Sequence, residues 1–274
     1  MDTSPSIRKD LFGFTSIPFL KTIDSPYLDQ TREDALEKLH AFLRYRGFAV
    51  VTGDTGCGKS MLLNHLCKTL HPNSSKIIYI PFSFFNERDM LRAICHGLEI
   101  EASYQKETMI HDIQNRIQEI RRLNPVLLLD EIQSISQQTL ETVRLLCNFQ
   151  FDSHNHFSLI MSGADSFLET LRRRINEPLR QRITLFINLK ALSRNNTQDY
   201  IGHHIKSAGA QHEIIAPEAM NQIHDGASGI PRLINTITLS AIQYASSEQN
   251  PTVELKHVHQ AMKTSLLPQR EIKI

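Results

Sequence analysis

The sequence predicts an α/β fold: a five-stranded parallel sheet with helices on both faces, followed by a smaller all-helical domain. Three observations carry this. Five short apolar runs alternate with segments of helical period. The first run, FAVVT (48–52), leads into the glycine-rich stretch GDTGCGKS (53–60) and then into a helix. Beyond residue 190 the strand pattern stops and helical segments alone follow.

Taken in order, residues 1–30 are rich in Ser, Pro, Asp and aromatics and read as an N-terminal arm. From Thr31, Ala35, Leu36, Leu39, Phe42 and Leu43 recur at helical spacing, and Gly47 ends that helix. FAVVT is the first buried strand; a helix runs through MLLNHLCKTL to about Leu70. KIIYIPF (76–82) is the second strand, followed by helices over 86–98 and 107–123. The latter carries Ile110, Ile113, Ile117 and Ile120 on one stripe, and Asn124-Pro125 breaks it. VLLLDE (126–131), FSLIMS (157–162) and RITLFINL (182–189) are the remaining strands, with helices over 137–148 and 165–174 between them. Four helices follow, with Ser193 and Pro217 at starts and Gly209 and Gly226 as stops. The domain division expected is therefore an arm over 1–30, an α/β domain over 31–190, a helical domain over 191–265 and a tail over 266–274.

Bulk properties narrow the class. With 274 residues and 41% apolar composition the chain can build one large or two modest cores. The net charge of +1 gives no bulk attraction to nucleic acid. Four dispersed cysteines without a CxxC pair read as reduced thiols, which places the chain in the cytoplasm. There is no signal-peptide core and no run near the ~20 apolar residues of a membrane span, so no membrane association is expected.

GDTGCGKS fits G-x-x-x-x-G-K-[ST], and each residue type has a physical purpose. Gly53, Gly56 and Gly58 let the backbone turn its N–H groups inward around phosphate oxygens. Asp54, Thr55 and Cys57 complete the loop; Met61 lies in the first turn of the helix whose positive end faces the anion. Lys59 would bridge the β- and γ-phosphates of ATP, and the Ser60 hydroxyl would ligate Mg²⁺. On the VLLLDE strand, Asp130 would hold Mg²⁺ through water and Glu131 would polarise the attacking water. An acidic turn after a core strand is the alternative reading of that pair. At the end of the fourth strand, Ser162 is a candidate γ-phosphate sensor, set against a plain strand end.

Basic residues follow in RRR (172–174) and PLRQR (178–182). Arg180 or Arg182 would reach the γ-phosphate of a neighbouring subunit, a contact worth ~10³–10⁵ in rate in GTPases; solvated surface is the alternative. In SGIPRLIN (228–235), Arg232 at a helix start behind Pro231 would close onto the nucleotide.

These motifs together resemble AAA+ ATPases of the ExeA/GspA type, from about Leu11 to Met262. GFAVVTGDTGCGKS, VLLLDEIQSIS, LETVRLLCNF, EPLRQRI and SGIPRLIN carry the resemblance, with DEIQ similar to that family's DEAQ. Two departures stand out: Ile132 replaces a small residue, and Ala164 stands where many relatives carry glutamine. Secretion members continue into a membrane span and a peptidoglycan-binding domain, and neither is expected here. The segments KIIYIPFSFFNERDMLRAI and NFQFDSHNHFSLIMSGADSF resemble the transposition helper ATPases TniB, TnsC and MuB. That resemblance implies ATP-dependent assembly on double-stranded DNA as a hexameric or heptameric ring or a helical filament. It also implies recruitment or activation of a DDE transposase, with a target-selection protein as a further partner. A secretion or envelope-assembly ATPase working through a membrane partner is the alternative. A non-hydrolysing scaffold is disfavoured by Asp130-Glu131.

Among the 13 histidines, His203-His204 and His257-Val258-His259 are the close groups, and solvated helix surface is the expectation for both. Cys57 is expected to be alkylated by thiol reagents and protected by nucleotide. Phe12, Phe14, Phe19 and Tyr27 are expected to dock on the ATPase domain or on a neighbour, or to pack in the ordinary way.

Overall fold

The computed structural model describes residues 7–19, 26–81, 86–147 and 155–264. The 266–274 tail, Phe82, and parts of the two segments similar to transposition helpers lie outside these residues. The chain divides into two compact units, one over 30–189 and one combining 1–29 with 190–274.

In the α/β unit, α2 (Gln30–Tyr45) precedes β1 (Phe48–Gly53), and α3 (Lys59–Thr69) follows the glycine loop. Then come β2 (Ser75–Pro81), α4 (Glu87–Gly97), α5 (Lys106–Glu119) and β3 (Asn124–Asp130). After these come α6 (Gln137–Leu146), β4 (Ser158–Gly163), α7 (Ser166–Arg172), α8 (Glu177–Arg180) and β5 (Ile183–Leu189). The five strands form one parallel sheet in the order β2-β3-β4-β1-β5. β1 and β4 are buried at every position, as central strands covered on both faces must be. One face packs Val50, Ile80, Leu129 and Met161 against Met90, Ile94, Ile113 and Val143. Asn124 and Pro125, expected only to break α5, are the first residues of β3.

Parallel pairing puts all the strand C-termini on one side. Thr52 pairs with Gly163 and Asn188, Leu129 pairs with Met161, and Pro81 with Asp130. In the order found, the crossover after β1 runs toward β2 at one edge and the crossover after β4 runs the other way to β5, so a switch point lies between the tips of β1 and β4. A crevice at such a switch point is where ligands settle in open α/β sheets.

The helical unit holds α9 (Arg194–Ser207), α10 (Pro217–Ala227), α11 (Pro231–Ser247) and α12 (Leu255–Thr264). Ser193 caps α9 by accepting the Asn196 amide, and Pro217 opens α10. Gly226, expected as a stop, lies inside α10; a Cβ there would sit 2.7 Å from the Met262 side chain. The helix stops instead at Ser228, which is left-handed with φ 50°. The N-terminal segment is part of this unit. Its short helix α1 (Lys9–Phe12) and the residues after it bury Phe12, Phe14 and Phe19 among Ile201, Ile205, Ile237 and Ala241. Thr15 N–H donates to Ala208 O at 2.8 Å, and Arg8 N–H to Ser246 Oγ at 2.9 Å. The arm is thus a core contributor in its own unit.

Two histidines depart from the surface expectation. His204 is buried and stacks on Phe19; burial, with His203 nearby, pulls its pKa down to about 4, so it is a neutral core residue. His257 is wholly buried, with its ring 3.1 Å from Glu248.

Candidate functional site

The site begins at the tip of β1. Gly53 has φ 149°, and a Cβ there would lie 2.3 Å from the Leu189 carbonyl oxygen, so glycine alone fits. Gly56 and Gly58 have φ values of 87° and 100°, the left-handed geometry that turns successive amides to one side. Gly58 caps α3 without a side-chain acceptor, which leaves that helix's first N–H groups for an anion.

Lys59 is folded back over the loop. Its Nζ donates to Gly53 O at 2.8 Å and Asp54 O at 3.0 Å. Ser60 Oγ donates to Asp130 Oδ2 at 2.8 Å, joining residues 70 positions apart. Asp130 is buried; its Oδ1 accepts the Glu131 N–H at 3.0 Å, and its Oδ2 also accepts from Tyr79 Oη at 3.3 Å. Burial and the Asp130 charge push the Tyr79 hydroxyl up to about 12, so it stays a donor to that carboxylate. Glu131 is exposed and left-handed at φ 58°, a conformation that costs a non-glycine residue on the order of 1 kcal/mol or more. Its side chain accepts from Gln133.

The structure therefore gathers Gly53, Gly56, Gly58, Lys59, Ser60, Asp130 and Glu131 at one end of the sheet. Ser162 is not among the open groups. It pairs opposite Val51, one residue short of the tip, and its hydroxyl is enclosed with no hydrogen-bond partner among the described residues. The polar groups at the tip of β4 come just after it. Asp165 Oδ1 accepts from Asn188 Nδ2 at 2.9 Å, and the same amide donates to Thr52 Oγ1 at 3.0 Å.

Arg180 is exposed, 3.9 Å from Glu177, and donates to Arg172 O. Arg182 is half-buried just before β5. Position 182 lies one strand length, roughly 20 Å, from the tips that carry the loop. Neither arginine is positioned for its own loop. Arg232 is exposed as the second residue of α11 in the helical unit.

Cys57 departs from expectation. It is fully buried, and burial raises its thiol pKa despite the Lys59 and Arg32 charges. A buried neutral thiol is a slow nucleophile, so alkylation of Cys57 is not expected.

Sequence reasoning missed Arg32. It is 2% exposed, and its guanidinium donates to Cys57 O at 2.6 Å, pinning the phosphate loop from α2. The signal was present: Arg32 falls on the stripe of Ala35, Leu36 and Leu39, a charge on a buried face. Arg32→Ala is expected to lower the unfolding free energy by about 1.5–3 kcal/mol, the value of a charged hydrogen bond. Nucleotide binding should weaken with it. Urea melts and titration with a slow-hydrolysing ATP analogue measure the two; no change in either means the loop holds itself.

Residues 41–171 match the family described as AAA domain. The chain is 31% identical over 235 residues to General secretion pathway protein A of Aeromonas hydrophila. That alignment covers 82% of this chain and 42% of the relative, so the chain spans less than half of the relative's length. Among solved structures, the ADP form of the Aeropyrum pernix ORC2 protein superposes with a TM-score of 0.70 at 16% identity, covering 93% of this chain and 72% of that one. Drosophila ORC bound to DNA gives 0.68 at 18% identity, covering 88% and 62%. Among the described residues no helix is long and apolar enough to cross a membrane. With a phosphate loop, an Asp-Glu strand end and this five-strand order in one unit, the chain carries an AAA domain over residues 41–171 on the α/β P-loop AAA+ fold.

Proposed function

We propose that this chain hydrolyses ATP with Mg²⁺ at the β1–α3 loop, and that its nucleotide state controls assembly on double-stranded DNA, where it recruits or activates a DDE transposase. The observation that carries the hydrolysis reading is the convergence of Lys59, Ser60, Asp130 and Glu131 at the strand tips. A hydroxyl and a carboxylate 2.8 Å apart are hard oxygen donors suited to Mg²⁺. When bound, Mg²⁺ neutralises charge developing on the phosphoryl oxygens. Lys59 and the α3 amides hold the phosphates. Glu131 takes the proton of the attacking water as its oxygen bonds to the γ-phosphorus, and ADP leaves with the electrons of the broken P–O bond. Ser162, enclosed as it is, would sense the γ-phosphate only after the end of β4 shifts.

Arg180 would act in a neighbouring subunit's site, Arg182 being the more enclosed of the two. Arg180→Ala is expected to lower kcat by about 10³-fold or more while nucleotide affinity holds. Mixing it with a Glu131→Gln chain should restore activity, because each subunit then supplies what the other lacks. A mixture no faster than its components would mean Arg180 does not act across an interface.

The DNA part of this reading draws on the fold shared with a protein solved on DNA and on the motifs similar to transposition helpers. Retention on duplex DNA with ATP, ADP and a slow-hydrolysing analogue, across a salt series, tests it. ATP-dependent retention that weakens steeply with salt supports it; no retention under any nucleotide sinks it. The similarity to General secretion pathway protein A favours a second reading, an ATPase of a secretion or envelope-assembly system acting through a membrane partner. That reading expects hydrolysis without DNA retention. Cytoplasmic location is common to both.

A further inference from the structure

Glu131 does not stand alone at the end of β3. After it the chain makes a 3-10 turn over Ile132–Ser134. This turn brings the Gln133 side chain back to the glutamate. Gln133 Nε2 donates to Glu131 Oε2 at 2.6 Å. The other end of the same carboxamide, Oε1, accepts the Ala164 N–H at 3.1 Å, just past the tip of β4. The two partners fix which way the amide faces: a carboxylate only accepts and a backbone N–H only donates, so the flipped amide would lose both bonds. The fit is close on the β4 side. A Cβ on Gly163 would lie 2.9 Å from Gln133 Oε1 and 2.9 Å from Ile132 Cγ1, so the bridge depends on glycine there.

We propose that Gln133 is a positioning residue, which aims the Glu131 carboxylate and ties it to the segment after β4. The inference rests on the reading of Glu131 as the group that activates water. An exposed glutamate on a turn has several rotamers, and a general base contributes only from one geometry. One donated hydrogen bond of 2.6 Å, anchored on a backbone amide of the neighbouring strand, restricts that choice. The anchor is itself held. Ala164 precedes Asp165, which accepts from Asn188, which also donates to Thr52 on the strand leading to the phosphate loop. The tips of β1, β5, β4 and β3 are thus joined by side chains in one contiguous path. Through Gln133, a displacement at the end of β4 moves the Glu131 carboxylate, just past the end of β3.

Steady-state ATP hydrolysis by Gln133→Ala and Gln133→Glu, with Glu131→Gln as reference, tests this. Hydrogen exchange at the Ala164 amide gives a readout independent of turnover. Gln133→Ala is expected to lower kcat by about 10–100-fold, the cost of a misplaced catalytic group, with KM and analogue affinity unchanged. Its Ala164 amide should lose protection from exchange. Gln133→Glu separates the two halves of the bridge: it keeps an acceptor for Ala164 and loses the donor to Glu131. It should keep Ala164 protected and still lose kcat to the same degree. Wild-type kcat in either variant, with Glu131→Gln inactive, overturns the inference and leaves the reading of Glu131 standing. A rise in KM matching the fall in kcat also overturns it, since that would report a loosened loop. Wild-type turnover by Glu131→Gln removes the reading of Glu131 and the inference with it.

Discussion

Glu131→Gln is expected to lower ATP hydrolysis by about 10²–10⁴-fold, the range a positioned general base contributes, while nucleotide affinity stays near wild type. The separation follows from the geometry. The hydrogen bonds of Glu131 go elsewhere than to the phosphate loop: its N–H serves Asp130 Oδ1, and its carboxylate accepts from Gln133. Glutamine keeps the size and the backbone but cannot take a proton from water. The left-handed backbone at φ 58° is unaffected by the swap, so the fold should not suffer. On the proposed reading, in which hydrolysis drives disassembly, a hydrolysis-dead chain that still binds ATP should also stay assembled on duplex DNA. Turnover assays and DNA retention measured on the same preparation check both parts. Wild-type turnover would mean another group activates the water.

Lys59→Ala acts earlier and is expected to abolish useful nucleotide binding. The ammonium is drawn over the loop by the Gly53 and Asp54 carbonyls, at 2.8 and 3.0 Å, and is 7% exposed. Removing a charge-assisted contact to a buried phosphate typically costs about 2–5 kcal/mol, so affinity should fall by about 30- to 5,000-fold. At a ligand concentration near a hundred times the wild-type Kd, bound nucleotide adds about 2.7 kcal/mol to stability. Most of that increment should vanish in the variant. Thermal unfolding with and without ATP measures it, and an undiminished shift would place the nucleotide elsewhere. The two variants together separate binding from chemistry: one loses both, the other only the second.

Much of the α/β unit was legible because its signals are local. FAVVT, KIIYIPF, VLLLDE, FSLIMS and RITLFINL each differ from the observed strands by only a residue or two at the ends. A strand buried on both faces must be apolar along its length, and that is visible in a single window. The residues missed share the opposite property. Arg32 stands on the apolar stripe of α2, and nothing beside it along the chain says what it meets. Gln133 and Asn188 looked like ordinary polar residues beside strand ends. Their importance lies in what they touch: Cys57 at a separation of 25 residues, Ala164 at 31 and Thr52 at 136. His204 and His257 misled for a related reason. A histidine on a helix carries no mark of the face it will occupy, and both lie in a helical core that the N-terminal aromatics help to build.

What the sequence determined by itself is the set of parts: strands from apolar runs, and a phosphate loop from glycines that permit φ values closed to other residues. What only the tertiary structure decided is which parts meet. The order β2-β3-β4-β1-β5 brings Asp130 to Ser60 and Gln133 to Ala164, and it leaves Ser162 enclosed one residue below the tip. Periodicity reports which face of an element is apolar, whereas strand order and register are set by how the crossover helices pack, and no stretch of one strand contains that information.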